Sequence, residues 1–232
     1  MTQRMTDDRS NTISGPVPGE PPVPGGLIPL WLAVLVLVLL LAVMGVGGYV
    51  IRGLVAGDRP ALSPQEAEVE KWREQVRESP QNTASHLGLG YAYQNAGRYD
   101  KALEEYATVL ESEPSDTAAL YNRGIVYQKL GVGASAEESF WKVLEIEPEH
   151  ALAAKALGEQ YVSKKQYRSA IKAVEPAAEA NPEMSDLQYL MGLALEKLGV
   201  TDSAVKRYRL ALKYTPDMQQ AIEGLKRLGV TP

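Results

Sequence analysis

Few side chains in this chain could carry out covalent chemistry. Its 232 residues include no cysteine and only two histidines, His86 and His150. No thiolate nucleophile, disulfide, iron–sulfur cluster or cysteine zinc site can therefore form. The histidines lie 64 residues apart, and neither has the Ser and Asp neighbours that would make it a general base in a hydrolytic triad. His150 follows Glu147 and Glu149, but one histidine beside two glutamates in a turn is weak as a metal motif. The glycines at Gly45, Gly47 and Gly48 have no following lysine and no preceding strand, so they do not form a phosphate loop. A net charge of −5 argues against nucleic acid as a partner. The sequence points to a non-enzymatic protein without a cofactor or metal.

The elements that would position any binding side chains are legible from spacing. Prolines recur at Pro80, Pro114, Pro148, Pro182 and Pro216, each 34 residues after the last. Gly90, Gly124, Gly158 and Gly192 fall in the same register, as do Ala102, Ala136, Ala170 and Ala204. Two columns of larger residues accompany them: Tyr93, Tyr127, Tyr161 and Leu195, then Tyr106, Phe140, Val174 and Tyr208.

These columns resemble the tetratricopeptide repeat, a 34-residue helix–turn–helix unit. The resemblance implies an all-α solenoid of four repeats, at 83–116, 117–150, 151–184 and 185–218. In each, glycine and alanine let helices A and B approach closely, larger residues fill the space beside them, and the proline ends helix B. The family favours tryptophan at repeat position 4, where this chain has His86, Leu120, Ala154 and Gln188. Gly97, Gly131 and Gly199 fall where the A–B turn needs a positive φ.

Flanking segments read as caps. Ser63, Pro64 and Glu66 form a helix-start signature, so a capping helix or half-repeat is expected over 63–79, with Trp72 in the aromatic column. A C-terminal capping helix is expected within 219–232, with Ala221, Ile222, Leu225 and Leu228 on its apolar stripe.

Upstream, residues 27–51 carry no charged side chain, and Trp31 and Tyr49 stand near the two ends. About 20 apolar residues span a bilayer core, so a single transmembrane helix is expected there. Residues 1–26 hold five prolines and almost no large apolar residue and read as a disordered tail, with 52–62 as a linker. The expected location is the cell membrane, single-pass. Arg52 and Arg59 favour a cytoplasmic array by the positive-inside rule, whereas bacterial proteins of this layout often keep the N-terminus inside; both orientations stay open.

A repeat array of this kind implies binding through the A helices. By the resemblance, the groove positions include Leu87, Tyr91 and Asn95; Tyr121, Asn122, Ile125 and Gln128; Lys155 and Glu159; and Tyr189, Leu193 and Lys197. The expected partners are protein or peptide segments, with the membrane as anchor site and homo-oligomers possible. Coverage of Leu87 and Tyr91 by the preceding helix is an open alternative. Chaperone-binding relatives hold a C-terminal carboxylate with a lysine, asparagine and arginine clamp. Here those positions read Leu87, Tyr91, Asn122, Leu152 and Ala156, so that clamp is absent. The resulting expectation is a membrane-anchored scaffold assisting assembly, secretion or maturation. The alternative is a permanent accessory subunit or self-associating component of a membrane complex. Charge is uneven: acids dominate from Asp100 to Glu149, and bases from Lys197 onward.

Overall fold

A computed structural model describes residues 29–55 and 62–231. The expected tail at 1–26 and most of the expected linker lie outside the described residues. The chain divides into two units, Met1–Pro60 and Ala61–Pro232.

The first unit contains one helix, α1, Leu30–Val55. It begins three residues inside the expected span and continues past Ile51 into the segment expected to be linker. Leucine, valine and alanine favour an uninterrupted helix there, and no proline stops it. Every described side chain from Leu30 to Met44 is exposed. That stretch is about 22 Å long, and no helix among the described residues is long and apolar enough to cross a membrane.

The second unit is a run of ten helices: α2 Pro64–Glu78, α3 Thr83–Asn95, α4 Tyr99–Ser112, α5 Thr117–Lys129, α6 Gly133–Ile146, α7 Ala151–Ser163, α8 Tyr167–Ala180, α9 Ser185–Lys197, α10 Thr201–Tyr214 and α11 Gln219–Arg227. No strand occurs among the described residues. The periodic prolines set the ends of the B helices. Glu113, Glu147, Asn181 and Thr215 each precede a proline, leave the helical region with φ −125° to −132° and ψ 67° to 84°, and close α4, α6, α8 and α10.

The A–B turns repeat one device. The amides of Arg98, Val132, Gln166 and Val200 donate to the carbonyls of Tyr93, Tyr127, Tyr161 and Leu195 at 2.8–2.9 Å. This six-to-one closure needs a left-handed residue just before it. Gly97, Gly131 and Gly199 supply it at φ 71°, 75° and 77°, and in the third repeat Lys165 takes φ 58° instead.

Helix starts are capped unevenly. Asn82, Asp116 and His150 accept from the amides of Ser85, Ala119 and Ala153. Met184 and Met218, at the equivalent positions, cannot. The sequence offered no hint that His150 would serve as a cap.

The core runs along the array as three clusters. One joins α2 to α5 through Val69, Leu89, Tyr106 and Val109. A second carries Phe140, Leu157, Val174 and Leu187 through the middle, and a third joins α9–α11 through Tyr208, Ala221 and Leu225. The glycine column works by contact distance: a Cβ on Gly90, Gly124 or Gly192 would lie 2.6–2.7 Å from the ring of Tyr106, Phe140 or Tyr208. The flanking helices extend this packing, with Trp72 against Gly88 and the Tyr208 ring against Gly224 as well as Gly192.

Candidate partner-binding surface

The A helices place the candidate residues in contrasting environments. Tyr91 is 51 % exposed, and Asn95, Gln128, Glu159 and Lys197 are also exposed. Leu87 is half-buried against the cluster that joins α2 to α5, whereas Tyr91 is open. Asn122 and Leu193 are half-buried.

Tyr121 and Ile125, expected to line the groove, do not stand clear of the packing. Both are half-buried against the central cluster. The Tyr121 ring lies 5.8 Å from Phe140 and 5.4 Å from His150. Burial pushes its hydroxyl pKa up, and the nearby Lys155 charge partly opposes this. The reason is geometric: His150, the cap of α7, is carried by the inter-repeat turn onto the Tyr121 ring. Alanine at these two positions would therefore remove core contacts.

The charges at these positions are largely committed. Lys155 pairs with Asp186 of the next repeat, and that bond holds its ammonium pKa above the usual lysine value. Lys197 lies 3.0 Å from Glu196. Tyr189 is half-buried, with its ring 6.1 Å from Tyr208 and its pKa raised by burial. The structure also adds Leu152, 51 % exposed at repeat position 2 of α7, one of the positions of the absent clamp.

Polar pairs stand where the family has tryptophan. His86 Nδ1 lies 2.6 Å from Glu105, and its Nε2 lies 3.1 Å from the Pro80 carbonyl oxygen. The fully buried Gln188 donates to the Ala178 carbonyl at 2.6 Å and accepts from Arg207 at 3.1 Å. His86 is thus a structural residue. Among the described residues, no three His, Cys, Asp or Glu side chains converge to hold a metal ion.

A second tie had no obvious sequence signal. Thr83 donates to Glu113 at 2.6 Å and Thr117 to Glu147 at 2.8 Å, while the hydroxyls of Ser185 and Thr215 share a 2.7 Å bond. Each links the first residue of a repeat to the residue before its closing proline. The 34-residue register could have exposed this pairing of columns.

A TPR repeat family model matches residues 90–131, and a tetratricopeptide repeat model matches residues 155–221. The helical array is a tetratricopeptide-repeat solenoid. Three solved structures share its fold. MamA is 21 % identical with a TM-score of 0.58, covering 68 % of this chain and 98 % of its own. YrrB, a TPR protein with an unusual peptide-binding site, is 20 % identical at 0.58, covering 69 % and 91 %. A tetratricopeptide repeat protein from Parabacteroides merdae is 21 % identical at 0.59, covering 77 % and 68 %. No curated relative matches the sequence.

Proposed function

We propose that this chain is a membrane-anchored, non-enzymatic scaffold whose A-helix face binds an extended segment of a partner protein. The carrying observation is the pair of half-exposed apolar side chains, Tyr91 and Leu152, on A-helix faces otherwise lined by Asn95, Gln128 and Glu159. Tyrosine offers contact area at low entropic cost together with a polar tip, which suits recognition of a peptide. The unusual peptide-binding site named for YrrB, which shares the fold, supports the same use of this framework.

Anchoring rests on the amino-acid sequence around α1, since a bilayer core takes about 20 apolar residues in a helix. Residues 27–51 carry no charge, and the apolar side chains from Leu30 to Met44 are all exposed. The chain then crosses the cell membrane once. Because it has no native cysteine, a single cysteine introduced at Gln220 and labelled in intact cells reports the side on which the array sits.

The binding test uses Tyr91→Ala with Leu152→Ala, since both side chains are exposed and their loss spares the core. Partner recovery from detergent-solubilised membranes should fall sharply. The control, Glu138→Ala with Lys142→Ala, removes an exposed ion pair on α6. If the control loses the partners and the Tyr91 and Leu152 variant keeps them, binding does not use the A-helix face.

A further inference from the structure

The B helices carry a charge pattern that neither packing nor the A-helix face explains. Repeat positions 22 and 29 lie on the exposed side of every B helix. At position 22 they read Glu104 on α4, Glu138 on α6, Lys172 on α8 and Lys206 on α10; at position 29, Glu111, Glu145, Glu179 and Lys213. Arg209, also exposed, stands between Lys206 and Lys213 on α10. The sign therefore inverts along the array at equivalent positions.

These charges are mostly uncommitted. Glu138 pairs with Lys142 and Glu179 with Arg207. Glu104, Glu111, Glu145, Lys206, Arg209 and Lys213 have no ion-pair partner among the described residues. Lys213 is exposed, with its ammonium 5.2 Å from the centroid of the Tyr214 ring. Asp202, in the first turn of α10, is the one acid on that helix.

We propose that this outer face is an interface between copies of the chain, in which α4 and α6 of one copy meet α10 of the next. Charge complementarity selects the occupant. One chain presents both signs at the same repeat positions, so a second copy satisfies both patches. An anionic surface would attract α10 but repel α4 and α6. End-to-end stacking is a poorer alternative, because α2 engages its charges in pairs of its own, Glu70 with Arg73 and Glu74 with Arg77. Two copies related by a two-fold axis set each patch against its complement at the same time, so the contact is isologous and closes as a dimer. Exposed ion pairs are individually weak and screened by salt. Tethering to a membrane would raise the effective concentration that such an interface needs.

The test uses the full chain in detergent micelles, followed by sedimentation velocity. Wild type should self-associate at about 50 mM salt and dissociate at about 500 mM, where the screening length falls to a few ångströms. Glu104→Lys, Glu111→Lys and Glu145→Lys combined should weaken association about tenfold or more, as should Lys206→Glu, Arg209→Glu and Lys213→Glu combined. Each variant alone gives both patches the same dominant sign and so loses the attraction between them. Mixed in equal amounts they should associate again, which also shows that both are folded. A wild-type chain that stays monomeric at low salt overturns the proposal, as does either variant associating like wild type. Shielding of Arg209 and Lys213 from trypsin in anionic but not neutral nanodiscs, with wild type monomeric in micelles, would assign α10 to lipid instead and overturn it as well.

Discussion

The third and fourth repeats meet the same 34-residue pattern by different physics. The third is built of small side chains: Ala153, Ala154, Ala156, Ala170, Ala173, Ala177 and Ala178 are all buried, and Val174 occupies the aromatic column. Apart from Tyr161, whose hydroxyl donates to Glu137 at 2.6 Å, it buries no polar side chain; it has no tie between its first residue and its closing segment, and it carries Pro176 inside α8. The fourth is built around a ring. Tyr208 lies between Gly192 and Gly224, and its hydroxyl donates to Glu196 at 2.6 Å. Glu196 also accepts from Arg227 at 2.8 and 3.0 Å and from Lys197 at 3.0 Å. Burial would raise the Glu196 pKa, but Arg227, Tyr208 and Lys197 together hold it down, at about 2. Close packing of methyl groups and a ring held by a charged network are thus interchangeable solutions, provided each fills the space between two helices and satisfies its own polar atoms.

The largest expected effect contrasts the two solutions directly. Tyr208→Ala should cost about 3–5 kcal/mol, the range for losing a buried aromatic, and should also strip Glu196 of a donor. Val174→Ala in the third repeat should cost clearly less. Urea unfolding followed by amide exchange on α9–α11 measures both, and equal costs would erase the distinction.

Gly158→Leu tests the close approach in the alanine-rich repeat. Its Cβ would lie 2.5 Å from Val174 and 3.2 Å from Leu190, so overpacking by about 1–3 kcal/mol is expected. An unchanged urea midpoint would show that the third repeat has slack.

The Glu196 network gives the fourth repeat a pH signature of its own. Its folded pKa lies below the ordinary carboxylate value of 4.5, so the contribution is full above that pH. It is lost as pH falls from about 4.5 towards 2. About 1–2 kcal/mol is expected, less than the whole shift implies, because the Arg227 and Lys197 side chains are open to water. Glu196→Gln should flatten the acid limb of stability for α9–α11 while leaving that of α7–α8 in place.

Smaller still is Lys165→Gly. At φ 58° a lysine is strained where the other turns use glycine, so this variant should gain a few tenths to about 1 kcal/mol, partly offset by a more flexible unfolded chain. Lys206→Ala, exposed and unpaired in the described structure, should stay within about 0.5 kcal/mol of wild type. A thermal melt of both checks them; a loss at Lys165→Gly would mean that its aliphatic stem packs on the turn.

The candidate surface was less legible than the fold. Repeat positions identified which residues lie on the A helices, and Tyr91 is open as that pattern implies. They did not reveal that Tyr121 sits under His150, because a side chain 29 residues away decides its exposure. Nor did they show that Lys155 is claimed by Asp186 across a repeat boundary. Such pairings depend on how side chains from successive repeats interleave.

The sequence by itself determined the helix boundaries and their order. Prolines, turn glycines and the apolar period act within one or two helical turns, and short-range sterics read the same way in every copy. Only the tertiary structure decided which polar residues are neutralised and which remain available. His86 found Glu105, Gln188 found Arg207, and Glu196 gathered Tyr208 and Arg227, while Tyr91, Leu152 and Glu159 remained exposed. The reason is physical: burial and charge pairing are properties of neighbours brought together through space, and adjacency along the chain does not encode them.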